Sequence, residues 1–292
     1  MEGAVRGIFH GTTGIKGQAN LVKIESGTAI ATNSISAAMN VSSLIVGQYY
    51  MKQINAELDV ISDGIDKIQS FQENEYRSKV FSLVAHVKRI ANFQSEILEN
   101  DELRISKIYQ LDILEKDCAE LLGQANLTLA GFSNKNKLSY EEYEKTIYNA
   151  QKWLIYQKSL LEVLYKISDF RYTLHLGAVS REQCATLIST YKKQVIDTQK
   201  RINSWHNNSA KRLGININEV RRKREGLDGA IHFIPSLLND DYKFRPINMK
   251  TANMITEQIK NREERYVADT SELYSEDVQL ISKDGRLYYL PE

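Results

Sequence analysis

The stretch INAELDVISDGIDKI, residues 54–68, decides the fold of this chain. Its large aliphatic side chains recur every three or four residues and form the seam, which consists of Ile54, Leu58, Ile61, Ile65 and Ile68. A repeat of about 3.5 residues keeps one apolar stripe of a helix facing a partner helix, as in a coiled coil. The seam therefore predicts a long helix that packs lengthwise against other helices.

The proline distribution extends this prediction to most of the chain. All three prolines lie in the last 58 of the 292 residues, at Pro235, Pro246 and Pro291. Proline inside a helix costs about 3 kcal/mol because it removes a backbone hydrogen bond and clashes with the preceding turn. We therefore predict stacked helices with short connections, the first of which runs from Thr28 to about Leu98 as a single rod.

Capping signals divide the following residues into three more helices. Asn100 or Asp101 is a suitable N-cap for the second helix. Residues 139–142 (SYEE) and 180–183 (SREQ) are capping boxes, which begin predicted helices that end near Leu176 and Leu213. Short loops between long helices place neighbours antiparallel. The predicted fold is therefore all-α, an elongated antiparallel bundle of about four long coiled-coil-like helices.

The two ends of the chain differ from the bundle, which we assign to residues 28–225. Residues 1–27 hold six of the fifteen glycines, too many for a stable helix, and predict a flexible or irregular lead-in. Residues 226–292 form a predicted tail with a short helix near residues 249–265 and a small C-terminal β-hairpin. The hairpin prediction depends on two apolar runs around Asp284-Gly285, a pair that favours a tight primed turn.

Composition and charge argue against a strong electrostatic field from the protein as a whole. The 38 basic and 37 acidic residues give a net charge of +1, which does not attract nucleic acid or an anionic membrane at long range. The two cysteines, Cys118 and Cys184, occupy apolar positions of predicted helices, where a free thiol acts as a small hydrophobic group. The first residues lack the pattern of a signal peptide, so we predict a cytoplasmic protein.

No motif in the sequence specifies a chemical reaction. The glycine-rich residues 11–17 (GTTGIKG) do not meet the spacing of a phosphate-binding loop. The five histidines are far apart in sequence and form no metal-binding pair, and no nucleophile-elbow motif is present. We therefore predict a protein that is not an enzyme and has no catalytic residues, no cofactor and no metal site.

The uncharged stretch from residue 26 to residue 51 has two interpretations. Its sequence, SGTAIATNSISAAMNVSSLIVGQYYM, is long enough to cross a bilayer but is interrupted by polar residues. Small side chains permit close helix packing, so the favoured interpretation is a tightly packed part of the first helix. The alternative is a segment that is stored in soluble form and later enters a membrane. The candidate packing or membrane face consists of Ile30, Ala37, Val41, Leu44 and Met51.

The basic cluster, Arg221, Arg222, Lys223 and Arg224, is the sharpest concentration of charge in the sequence. Residues 200–225 hold eight basic and two acidic residues, which makes the cluster a candidate patch for phosphates or anionic headgroups. The favoured interpretation is internal, with acidic residues of 262–278 or 96–120 facing the cluster across the bundle. Nucleic acid is accordingly a disfavoured partner.

Two stretches carry a resemblance to other proteins. Residues 71–104 (FQENEYRSKVFSLVAHVKRIANFQSEILENDELR) and residues 121–131 (LLGQANLTLAG) resemble a group of uncharacterised all-helical proteins of Gram-positive bacteria, over residues 40–132. The resemblance implies a bacterial, intracellular protein from a defence or mobile-element locus. The arrangement of an uncharged, small-residue segment within a bundle of very long helices is also similar to that of cytolysin-type α-helical pore-forming toxins. This chain lacks their secretion signal and their strongly apolar hairpin.

The sequence as a whole predicts a non-enzymatic interaction or scaffold protein. Long seams without a recognisable site favour binding of a partner protein, or self-association into an oligomer, through helical faces. The alternative is a membrane-acting, pore-forming-like effector that releases residues 26–51 into a bilayer and associates with the membrane when it is triggered.

Overall fold

The chain is mostly helical in the computed structural model, as predicted, with small antiparallel sheets. The described residues are 4–11, 14–23, 35–68, 74–259, 279–283 and 286–290. The boundaries of the elements within these ranges decide which of the sequence-based predictions hold.

The first described elements form a hairpin. β1 (Ala4–Gly11) and β2 (Gly14–Lys23) pair as antiparallel strands, with Ala4 opposite Val22. The prediction of an irregular lead-in over residues 1–27 is wrong for these two ranges. Glycine disfavours a helix, but it is compatible with a β-hairpin, because it tolerates the backbone conformations of the tight turn between the strands.

The helix that contains the seam ends earlier than predicted. α1 (Ile35–Asp66) is followed by α2 (Asn74–Asn92), which packs back on α1, and by α3 (Gln94–Glu99). An ion pair between Lys88 Nζ and Asp59 Oδ1, 2.5 Å apart, joins α2 to α1. The single rod from residue 28 to residue 98 is therefore wrong. Apolar spacing indicates that one face is buried, and a helix of the same chain folded back buries that face equally well.

The seam itself lies in the main apolar core. Its five side chains are between 0% and 6% exposed, and α1 packs against α2, α3 and α5. Burial of large aliphatic side chains stabilises the fold by about 1.5–3 kcal/mol each. Since the chain's own helices cover the seam, these five side chains are not available for contact with a second chain.

The next two helices begin where the capping signals predict. α4 (Asp101–Ser133) follows Asn100, whose Oδ1 accepts a hydrogen bond from the Leu103 amide at 3.0 Å. α5 (Tyr140–Leu174) follows a complete capping box, in which the Glu142 amide donates to Ser139 Oγ and the Ser139 amide donates to Glu142 Oε2. α4 and α5 pack against each other, and a buried hydrogen bond of 2.6 Å from Gln157 Nε2 to Asn126 Oδ1 joins them.

The fourth predicted helix is divided in two. Ser180 Oγ accepts a hydrogen bond from the Gln183 amide and caps the single turn α6 (Arg181–Cys184). After a turn, α7 (Ile188–Arg212) packs on α4 and α5. Gly214, which follows α7, has a φ of 59°, a left-handed conformation that glycine adopts at little cost at the end of a helix.

An antiparallel sheet that we did not predict follows α7. β3 (Ile215–Asn216), β4 (Arg221–Lys223) and β5 (Phe244–Pro246) form its three strands in this order. Two short helices, α8 (Gly226–Ile231) and α9 (Phe233–Leu238), lie between β4 and β5 in sequence. α10 (Met249–Ile259) begins at the residue where we predicted a short helix, and it packs on α5 and α7.

The predicted C-terminal hairpin is present. β6 (Gln279–Lys283) and β7 (Arg286–Leu290) are antiparallel, and β7 also pairs with β2 in a four-stranded sheet of order β1-β2-β7-β6. The sequence did not indicate that the two ends of the chain would join. The helical-bundle character is therefore confirmed, whereas an elongated arrangement of about four long helices stays a prediction.

Candidate functional sites

The uncharged stretch belongs to α1 as far as it is described. Ile30 lies outside the described residues, and Ala37 and Val41 are part of the helix. Leu44 is half-buried against the main core, and Met51 is fully buried in it. The described end of the candidate face therefore packs inside the chain.

Close packing of α1 is most evident at Gly47. A Cβ atom added there would lie 3.3 Å from a methyl carbon of Leu98 and 3.5 Å from one of Thr173. The lack of a side chain at Gly47 thus lets α1 approach α3 and α5 closely, which agrees with the packing interpretation at this position. Among the residues that the structure describes, we find no helix that combines the length and the apolar character needed to span a membrane.

The basic cluster is divided between several partners. Arg222 is 6% exposed, its guanidinium lies 4.1 Å from the ring centre of Tyr140, and it forms an ion pair with Glu141 at 3.2 Å. Arg221 forms an ion pair with Asp241 at 3.2 Å. These arginines are therefore engaged within the chain rather than directed together at one external anion.

The remaining two members of the cluster are also engaged locally. Arg224 binds both carboxylate oxygens of Asp228, at 2.8 and 3.0 Å, and the side chain of Lys223 packs against Gly214. These contacts agree with the internal interpretation, but the carboxylates are not those expected from residues 96–120. Because β4 and β5 fold the tail back on itself, the nearest acidic groups come from the tail and from the start of α5. Residues 262–278 lie outside the described residues.

A buried polar network joins α5, α7 and α10. His206 is 0% exposed, its Nδ1 lies 2.7 Å from the Tyr143 hydroxyl, and its Nε2 lies 3.0 Å from Gln258 Oε1. Gln258 Nε2 donates to the Ile147 carbonyl and to Gln151 Oε1, each at 3.0 Å. Gln258 Oε1 is therefore an acceptor, so His206 Nε2 carries the hydrogen and Nδ1 accepts from Tyr143.

The electrostatics of this network favour a structural role. Burial lowers the pKa of His206 to about 4, although the hydrogen bond with Gln258 opposes the shift. Burial also raises the pKa of the Tyr143 hydroxyl above its ordinary value. Both groups are neutral at pH 7 and satisfy each other's hydrogen bonds, which is typical of a polar network that fixes one packing of a core.

A network of charged groups joins α5 to its neighbours near Cys184. Asp169 is buried and lies 3.2 Å from Lys166 Nζ and 2.9 Å from Arg181 Nη2, while Glu57 of α1 also pairs with Lys166. Burial alone would lower the pKa of Lys166, but the carboxylates of Asp169 and Glu57 raise it above its ordinary value. The lysine therefore stays charged, and the network links helices rather than supplying a base.

The two cysteines are inert thiols. Both are free and buried, and Cys118 Sγ donates to the Leu160 carbonyl at 3.3 Å. Burial raises the pKa of the Cys118 thiol well above its usual range and also raises the pKa of Cys184. Since the thiolate is the reactive form, neither group is activated. In the described part of the chain, no three His, Cys, Asp or Glu side chains are grouped to hold a metal ion.

An exposed apolar surface, which the sequence analysis missed, lies on the two short helices after β4. Its large side chains are between 62% and 91% exposed. The α8–α9 surface consists of Leu227, Ile231, Phe233, Ile234, Leu237 and Leu238. Leu227, Ile231, Ile234 and Leu238 recur at intervals of four, three and four residues, and this helical spacing was the signal available in the sequence.

The charged groups around the α8–α9 surface are paired with one another. Asp228 binds Arg224, and its Oδ2 also lies 3.9 Å from Arg245 Nη1. Asp240 pairs with Lys243 at 2.6 Å. Both acidic and basic groups therefore lie close to these helices, and they are paired with one another.

Comparison of the chain with protein-family models, with curated proteins and with solved structures finds no match. The resemblance of residues 40–132 to helical proteins of Gram-positive bacteria therefore stays a prediction, and function has to be inferred from the residues themselves.

Proposed function

We propose that this protein is a non-enzymatic scaffold with an elongated helical bundle, and that it self-associates through the α8–α9 surface. The observation that supports this proposal is the exposure of six large apolar side chains on two consecutive short helices. Contiguous exposed apolar patches are uncommon on monomeric proteins and mark sites of contact with proteins or membranes.

The charges around the surface favour a protein over an anionic membrane. A membrane-binding surface relies on unpaired basic groups that face the lipid headgroups. Here Arg224, Lys243 and Arg221 are each paired with an aspartate of the same region. Residues 221–245 carry six basic and four acidic side chains in all, so the excess of positive charge beside the surface is small.

A second copy of this chain is the partner that the rim fits best. A two-fold contact brings the same patch from each copy together, so the patch has to complement itself. The presence of both acidic and basic groups beside the surface meets this condition, because each copy offers both signs to the other. A strongly one-signed rim would instead repel its own copy.

The membrane-acting alternative with residues 26–51 has less support. Release of α1 would expose Met51 and the seam, which now pack against α2, α3 and α5. Each of those side chains contributes about 1.5–3 kcal/mol through burial, so release would need a strong trigger. Insertion of the α8–α9 surface into a bilayer is a more accessible route to a membrane and is therefore included in the test.

Light scattering after gel filtration, over a range of protein concentrations, tests self-association. Leu238→Glu places a charge at the most exposed member of the surface, and Leu127→Glu, at a 76% exposed position on α4, is the matched control. A two-fold contact buries Leu238 in both copies. The substitution should therefore weaken the dimer by at least about 3 kcal/mol, more than 100-fold in Kd, while the control leaves it unchanged.

Dye-filled phosphatidylglycerol vesicles distinguish the two classes of partner. Self-association that Leu238→Glu abolishes and Leu127→Glu preserves, with intact vesicles, is the expected result. A monomer at all concentrations would overturn self-association. Vesicle leakage that only Leu238→Glu abolishes would instead assign the surface to a membrane.

A further inference from the structure

Among the described residues, a groove lies open between α5 and α7 next to the last described turn of α10. α10 fills one part of the space between these helices, and Gln258 near its end lines the groove. Helical rise along α5 from Gln151 to Leu161 makes the groove about 15 Å long. It is separate from the α8–α9 surface.

The groove has an aliphatic floor. The floor consists of Leu154, Ile155 and Leu161 from α5 with Val195 and Ile196 from α7. Four of these five side chains are only half-buried, although three of the four pack against the main core. A row of aliphatic side chains that is backed by the core and open on one side can bury a linear hydrocarbon chain.

The rim of the groove is mainly cationic. Lys158, Lys192 and Lys200 line it, with Glu257 as the acidic member. Lys158 and Lys200 also approach carboxylates of their own helices, at 3.6 and 3.8 Å, but exposed pairs of this kind hold their partners weakly. Among the described residues, Lys192 forms no ion pair. Lys192 is therefore the main cation available to an anionic group above the floor, and Lys158 or Lys200 can join it by leaving its own weak pair.

We infer that this groove binds a linear amphiphile with a carboxylate head, that is, a long-chain fatty acid. The hydrocarbon chain lies along the aliphatic floor, and the carboxylate is held at the rim by Lys192 with Lys158 or Lys200. The combination of floor and rim decides the ligand class. An uncharged chain would gain nothing from the ammonium groups at the rim, and a short carboxylate would leave the aliphatic floor in water.

Calorimetric titration with dodecanoate below its micellar concentration tests this inference. Dodecanol and acetate are the comparison probes, since the first lacks the charge and the second lacks the chain. Lys192→Glu reverses one rim charge, and Lys193→Glu is the matched control, because its side chain is exposed on the same helix but does not line the groove. Lys192→Glu should weaken dodecanoate binding by about tenfold or more, and Lys193→Glu by less than about twofold.

A second pair of variants locates the bound chain. Ile196→Glu places a charge on the floor and should abolish binding, whereas Leu238→Glu on the α8–α9 surface should leave binding unchanged. Weaker binding of dodecanol and no binding of acetate complete the expected result. The inference is overturned if dodecanoate does not bind, if Lys192→Glu and Lys193→Glu weaken it equally, or if Leu238→Glu abolishes binding. Oligomeric state is measured separately, so this inference and the proposed function fail independently.

Discussion

Mild acid is predicted to destabilise this protein through His206. The imidazole is 0% exposed, and its two nitrogens contact the neutral side chains of Tyr143 and Gln258. Protonation at Nδ1 would turn the acceptor of the Tyr143 hydrogen bond into a donor. It would also create a positive charge in the interior without a carboxylate at either nitrogen, which is unfavourable at a buried site.

The sign and size of the effect follow from the two pKa values. The ordinary pKa of histidine is 6.5, and that of His206 in the folded protein is about 4, so the unfolded chain binds the proton first as pH falls. Stability is therefore complete above about pH 6.5, falls progressively towards pH 4, and loses nothing more from this group below pH 4. The whole loss is about 3 kcal/mol, of which about 2 kcal/mol is reached at pH 5.

Urea unfolding at pH 7 and pH 5 measures this loss. His206→Gln is the informative variant, because a glutamine amide can donate to Gln258 and accept from Tyr143 but does not titrate. The wild-type protein should lose about 2 kcal/mol more than His206→Gln between the two pH values. Titration of carboxylates contributes equally to both proteins and cancels in this comparison. The exposed His86→Gln is the control and should behave like the wild type.

The reasoning is refuted if His206→Gln and the wild type lose the same free energy of unfolding between pH 7 and pH 5. A lower stability of His206→Gln at pH 7 alone does not bear on the prediction, because it reports only how well glutamine fits. The decisive quantity is the difference between the two pH-dependent losses.

Two further predictions concern local structure. Ser139→Ala removes one half of the capping box of α5 and should lower the free energy of unfolding in urea by about 1 kcal/mol. Ser82→Ala on the exposed side of α2 is the control. No change in Ser139→Ala would show that water replaces the cap. Gly214→Ala should destabilise the folded protein by more than about 1 kcal/mol, because φ is 59° and the new methyl group would lie 2.7 Å from the Lys223 side chain. Gly123→Ala inside α4 should instead stabilise the folded protein by about 0.5–1 kcal/mol. Equal effects at the two glycines in thermal unfolding would contradict this difference.

Helix starts could be predicted from the sequence because a cap is a local structure. Ser139 and Glu142 lie three residues apart, and their reciprocal hydrogen bonds depend on no other part of the chain. Asn100 is a second example, with its side chain bonded to the Leu103 amide. Such signals are complete within four residues, so folding of the remaining chain does not change their meaning.

The path of the chain after the seam could not be predicted in the same way. The spacing from Ile54 to Ile68 requires that one helical face be covered, but it does not identify the helix that covers it. α2 carries a similar apolar stripe, and two such stripes fit either a continuous rod with distant partners or two helices folded together. Which arrangement forms depends on contacts between residues far apart in sequence, chiefly the burial of the apolar stripes of α1 and α2 in one core.

The partners of the basic cluster likewise could not be predicted from the sequence. Charge counting favoured the carboxylates of the most acidic stretches as internal partners of these side chains. Arg222 instead pairs with Glu141 and stacks on Tyr140, because the small sheet brings β4 to the start of α5. An ion pair needs one carboxylate within about 4 Å, so local geometry outweighs the total charge of a distant segment.

The α8–α9 surface escaped notice because a search for periodic apolar residues finds side chains that will be buried. Leu227, Ile231, Ile234 and Leu238 recur at a helical spacing of four, three and four residues, but two helices of six residues each share that spacing. None of the four side chains is buried by the chain. Apolar spacing indicates that one helical face favours contact with other apolar groups, but it does not identify the molecule that supplies them. Leu238→Glu tests whether a second copy of the chain covers this surface.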